Sequence, residues 1–201
     1  MATQPKTHLT PEQYLEIERK AEFKSEYYQG EMFAMSGASY PHIGIVANAM
    51  RELGQQLRRG PCRPLSNDMR VRVTPAGLYT YPDVVVVCGE PQFLDDTFDT
   101  LLNPTVIVEV LSESTEAYDR GRKFELYRSL ESLAEYLLIS SERVGVERFT
   151  RQPDGSWNFT AKASLEDSID LQSVGCHLLL ADLYEKVDFT PPQPVTAPLA
   201  V

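Results

Sequence analysis

The chain has 201 residues, 42% of them hydrophobic and 24% charged, enough for one globular domain with a full core. Its formal net charge of −10 argues against a broad, non-specific grip on nucleic acid, which takes a basic surface. No apolar run approaches the ~18 residues of a membrane span, and the start MATQPKTHLT lacks an apolar signal core.

Three cysteines, Cys62, Cys88 and Cys176, are odd in number and far apart, with no CxxC pair. That spacing reads against a disulfide framework or a structural zinc site, and Cys88 and Cys176 read as buried thiols of a reducing cytoplasm. Arg51, Arg58, Arg59, Arg63, Arg70 and Arg72 cluster in sequence, as either a solvated face or a phosphate-facing one.

In chain order, Thr10-Pro11-Glu12-Gln13 is a helix start, with Thr as N-cap, Pro at the first position and Gln closing a capping box. EYYQGEMFAMS (26–36) alternates around Gln29-Gly30 and predicts a hairpin. From Ile43 to about Arg59 apolar residues recur at helical spacing, and Gly60-Pro61 stops the helix. MRVRV (69–73) predicts a half-exposed strand with arginines on its outer face, followed by a turn from Pro75 to Gly77. YPDVVVV (81–87) predicts a buried strand, and residues 89–104 a loop long enough to suggest a function.

TVIVEVL (105–111) predicts another buried strand, and a helix follows through about Leu130, capped at Ser114 or Thr115. EYLLIS, VGVERFT, SWNFT and a segment near 176–180 read as strands, with a short helix at 182–187. The expected fold is α/β of the α+β type, a central mixed sheet flanked by helices. One domain over 1–188 and a Pro-rich, disordered tail over 189–201 are expected.

Two apolar strands each carry one carboxylate, Asp83 and Glu109. Burying an ionised carboxylate without a partner is costly, so each demands a counter-charge. An ion pair satisfies one such group. Two acids on neighbouring strands suit a hard divalent cation such as Mg²⁺ or Mn²⁺, which offsets both burials at once. Asp119, Lys123 and Tyr127 are spaced by four and share one helix face just beyond Glu109. On that face Lys123 would reach the carboxylates and hold a water or a phosphate oxygen; a plain Asp-Lys helix pair is the simpler alternative. His42 at a helix start and Glu31 after the hairpin glycine are further candidates, each with an ordinary capping or turn role available.

The order YYQGEMFAMS, SYPHIGIVAN, YPDVVVV, VIVEVLSEST, YDRGRKFELYR, AEYLLIS resembles the Uma-two family, restriction-endonuclease-like proteins of the PD-(D/E)XK nuclease superfamily. The resemblance covers about residues 10–188. It implies a restriction endonuclease-like fold, Asp83 and Glu109 as metal ligands, and Lys123 as the lysine of the site. The superfamily's usual lysine position, two residues after the acid, is Leu111 here. Glu31 and His42 match positions in the family's GE and PH segments. Glu113 stands where the family commonly has Pro, and Leu137 where it often has Trp.

The function expected is metal-dependent hydrolysis of phosphodiester bonds in nucleic acid, DNA ahead of RNA, by a homodimer using Mg²⁺ or Mn²⁺. The alternative class is a catalytically inactive binding or regulatory module on a nuclease fold, which the acidic charge and displaced lysine favour. No P-loop, GxGxxG, HExxH or GxSxG signature directs the reading elsewhere.

Overall fold

The computed structural model describes residues 8–73, 77–113 and 115–190. Ser114, most of the turn expected at 75–77 and the tail from 191 lie outside the described residues. The capping box forms: Gln13 Oε1 accepts from the Thr10 N–H (2.8 Å) and Thr10 Oγ1 accepts from the Gln13 N–H (3.3 Å), opening α1 (Pro11–Glu18). The hairpin forms as β1 (Ser25–Tyr28) and β2 (Glu31–Ala34). Gln29 and Gly30 both take positive φ, 47° and 92°, which is the turn that matches strand twist. α2 (Tyr40–Leu57) follows, capped by the Ser39 side chain.

Seven strands come next: β3 (Cys62–Ser66), β4 (Arg70–Val73), β5 (Leu78–Thr80), β6 (Val84–Cys88), β7 (Thr100–Leu101), β8 (Val106–Leu111) and, after a helical crossover, β9 (Glu135–Ser140). The crossover is α3 (Glu116–Tyr118), a π-helical turn Asp119–Lys123 and α4 (Phe124–Tyr127). β10 (Val146–Arg151), β11 (Trp157–Lys162), β12 (Ser168–Leu171), β13 (Cys176–Leu179) and α5 (Leu180–Leu183) complete the chain.

These strands form a mixed six-stranded sheet ordered β11-β10-β9-β8-β6-β3, a second sheet ordered β2-β1-β5-β4-β7, and the pair β12-β13. In the main sheet only β8 and β9 run parallel, as a strand-helix-strand crossover requires. β8 is buried along its whole length. Its pleat sends Val106, Val108 and Val110 to the core under α2, and Ile107 and Leu111 to the core under α4. Glu109 has the parity of the second set, so it points towards the crossover that covers that face.

Three local expectations are corrected. Arg70 is not on an exposed face: it is 3% exposed, donating from Nε to Thr100 Oγ1 (2.9 Å) and from Nη1 to the Tyr81 hydroxyl (2.8 Å). Pairing of β4 with β7 inside the second sheet encloses it. The sequence cluster of arginines is thereby split, since Arg51 pairs with Glu52 and Glu185 at the surface. The segment 89–104 is also tied down, by β7 and by Arg19, which binds Asp95 (2.7 Å) and Asp99 (2.8 Å).

Third, Cys88 is not a thiol. Antiparallel pairing of β3 with β6 sets Cys62 opposite Cys88, and the two are joined as a disulfide across 26 residues, leaving Cys176 as a buried free thiol. Sequence spacing gave no sign of this because pairing depends on strand register. With two of the three cysteines bonded, they no longer point to a reducing compartment. Closing a loop of that length is expected to stabilise the fold by about 3 kcal/mol, so Cys62→Ser/Cys88→Ser should lower the free energy of unfolding by that order in a urea titration. Among the described residues no helix is long and apolar enough to cross a membrane.

Candidate metal and nuclease site

The antiparallel register of β6 and β8 pairs Val84 with Val108, which brings Asp83, the residue before β6, alongside Glu109. The Asp83 carboxylate is held at both oxygens. Oδ2 accepts from the Val110 N–H at 2.7 Å, and Oδ1 lies 3.1 Å from His42 Nε2. His42 reaches it because α2 begins there, its own N–H donating to the Ser39 cap (3.4 Å). Its backbone is thus held by the Ser39 cap while its ring faces the site.

Glu109 is 4% exposed, and its Oε1 accepts from the Tyr127 hydroxyl at 2.8 Å and sits 2.9 Å from Lys123 Nζ. Lys123 is itself buried and meets two further carboxylates, Glu26 Oε1 at 3.2 Å and Asp119 Oδ1 at 3.5 Å. The spacing Asp119, Lys123, Tyr127 therefore does place all three around Glu109. Part of that spacing lies in the π-helical turn, a distortion that is frequent at functional sites.

Position 111, the superfamily's usual lysine position, carries a leucine because its side chain packs in the core under α4. The lysine comes instead from the crossover above that face. Four carboxylates, Glu26, Asp83, Glu109 and Asp119, line one cavity of about 370 Å³ with the Lys123 ammonium, which pairs with all but Asp83, a formal excess of three negative charges among these described residues.

That imbalance shows in the proton affinities. Burial, then the neighbouring Asp119 and Asp83 carboxylates, push the Glu109 carboxyl up to about 8 although Lys123 works the other way. Burial also raises Asp119. For Lys123 burial disfavours the charge, but Glu109, Glu26 and Asp119 more than offset it and hold its pKa well above the ordinary value. The ammonium therefore stays charged across the physiological range.

Glu31 is placed differently. It lies opposite Tyr28 in the hairpin, on the face shared by Glu26 and Phe33 but two pairs nearer the turn, and it is not among the described residues lining the cavity. Glu26 is the hairpin acid that reaches Lys123, with the Thr80 hydroxyl donating to the same oxygen. The sequence signal for it is slight: one acid at the start of an alternating strand.

The family model for Uma2, described as a putative restriction endonuclease, matches residues 11–181. The chain belongs to the Uma2 family. Two Synechocystis relatives, the uncharacterised proteins slr1290 and sll1609, are 35% and 37% identical to it. The first alignment covers 92% of this chain and 96% of the relative, the second 76% and 86%. A crystal structure from Anabaena variabilis, titled a putative nuclease belonging to DUF820, superposes with a TM-score of 0.71 at 16% identity. It covers 88% of this chain and 97% of that one. The fold is thus that of a nuclease-like neighbour, mixed α/β with several mixed sheets.

Whether a Uma2 site of this composition suits a divalent ion is decided by its donors. Among the described residues no group of three or more His, Cys, Asp and Glu side chains forms a ready-made cage. Zinc, which takes three or four protein ligands, does not fit. Mg²⁺ does: it keeps several waters and is held through one or two carboxylates together with substrate phosphates. Asp83, just before β6, and Glu109 in its neighbour β8 supply hard oxygens, and the negative excess favours a cation.

Proposed function

We propose that this Uma2 domain hydrolyses phosphodiester bonds in nucleic acid with Mg²⁺ or Mn²⁺ held by Asp83 and Glu109. The observation that carries the reading is the convergence of these two carboxylates and the Lys123 ammonium, 2.9 Å from Glu109, on one cavity. When bound, the ion would supply Lewis acidity at the phosphate and a water of lowered pKa. The chain's own contribution is positional. The Val110 N–H and His42 fix Asp83, and Tyr127 fixes Glu109, so neither carboxylate must reorganise. Lys123, charged and anchored by three acids, is the cation beside the reacting phosphate oxygen or water. Glu26 and Asp119 hold it there.

A second reading, a binding module without catalysis, draws support from the same anchoring. An ammonium gripped by three carboxylates is less available to substrate. Incubating the full chain with mixed DNA and RNA, with and without Mg²⁺, separates the two. The nuclease reading expects cleavage that chelation stops and that Asp83→Asn reduces at least 100-fold, in line with loss of a metal ligand or an equivalent charge-stabilising group. Metal binding without any cleavage would leave the module reading in place.

A further inference from the structure

The mouth of the carboxylate cavity is apolar and aromatic. Phe33, Met35 and Tyr118 line it while remaining 49%, 37% and 39% exposed. Phe33 is directly opposite Glu26 in the β1-β2 ladder, so its ring stands on the same face as the carboxylate at Lys123. Tyr118 immediately precedes Asp119, at the end of α3. Tyr40, 72% exposed, follows the Ser39 cap that also lines the cavity. Large exposed rings gathered around a polar, buried centre have no packing role to explain them.

Cations at this mouth are already committed. Lys123 is the only Lys or Arg among the described residues lining the cavity, and three carboxylates hold it. Nearby, Arg120 is paired with Glu116 and Glu147, Arg122 with Glu125 and the Tyr28 hydroxyl, and Lys24 with Asp68. Duplexes are gripped chiefly through phosphates by free Lys and Arg, and a chain of net charge −10 with this rim offers few. Aromatic faces instead capture bases that are unpaired, without regard to their identity.

Taking the nuclease reading as its basis, we infer that the substrate is single-stranded or locally unpaired nucleic acid. Its bases stack on Phe33 and Tyr118, which delivers the intervening phosphate to Asp83, Glu109 and Lys123. Stacking makes no use of the sugar, so the inference covers DNA and RNA alike.

The test uses the full chain with a short labelled single strand, in DNA and RNA versions, and the same strand annealed into a duplex. Binding is followed by fluorescence anisotropy across a salt series and cleavage in Mg²⁺. The expected result is a single strand bound and cut in preference to the duplex, with a shallow salt dependence. Phe33→Ala and Tyr118→Ala should each weaken single-strand binding by about 5- to 150-fold, while Tyr118→Phe, which keeps the ring, restores it. Both positions are half exposed, so melting curves should coincide with wild type. Duplex bound and cut as well as the single strand, with the rim variants unchanged, overturns the inference and leaves the nuclease reading intact. Absence of both binding and cleavage overturns both. A rim variant that converts a dimer to a monomer in light scattering without affecting single-strand binding makes this face a subunit contact and overturns the inference alone.

Discussion

Lys123→Met is expected to destabilise the folded chain by about 3–5 kcal/mol, the order of cost for stripping the partner from buried charge. The methionine stem fills nearly the same volume, so the loss would come from charge and not from a cavity. Glu26, Glu109 and Asp119 would then face one another with no cation between them. Part of the penalty should disappear in Lys123→Met/Glu109→Gln, because removing one acid relieves the repulsion. A coupling of at least about 1 kcal/mol in that cycle, measured by urea unfolding, is the signature of direct contact. Additive effects would mean that the ammonium and the carboxylate act independently, contrary to their 2.9 Å separation.

Glu109→Gln has the opposite profile: function lost, fold kept. Glutamine retains an oxygen to accept from Tyr127 and Lys123, and it carries no charge to bury. Burial already holds the Glu109 carboxyl at about 8, against an ordinary 4.5. A raised acid pKa means that the folded chain keeps a proton that the unfolded chain releases. The stabilisation is therefore fully present below about pH 4.5 and is lost as pH rises through about 8. Without metal, the variant should gain on wild type by up to about 1.4 kcal/mol per pH unit within that window. A constant difference across the window would show that Glu109 is ionised throughout. Cleavage in Mg²⁺ should fall to background in the same variant, because an amide is a poor ligand for a hard cation.

What the residues disclosed in advance follows their distance in sequence. TVIVEVL and YPDVVVV announced themselves by composition, and a connection that reads as a loop and not a helix hinted that they were neighbours. Lys123 was legible from its spacing to Asp119 and Tyr127, a local regularity that the π-helical turn did not disturb. Glu26 was not legible, because its meeting with Lys123 joins a hairpin to a helix nearly a hundred residues away. Glu31 has a stronger local pattern beside Gly30, but the hairpin register sets it two pairs nearer the turn. The Cys62–Cys88 bond and the burial of Arg70 were hidden for the same reason: both depend on which strands pair, and β3 and β7 are too short or too irregular to show periodicity. Division of the described strands into three sheets is likewise a tertiary outcome.

The central claim is that Asp83 and Glu109 together form a divalent-cation site, and calorimetric titration of the chain with Mn²⁺ addresses it most directly. The account predicts one saturable site in the wild type, lost in Glu109→Gln and in Asp83→Asn. Because the metal displaces a proton from Glu109, affinity should rise by up to about tenfold per pH unit below about 8, with proton release visible as a dependence on buffer heat. No Mn²⁺ binding by a folded wild-type chain, or binding that survives both substitutions, would contradict it.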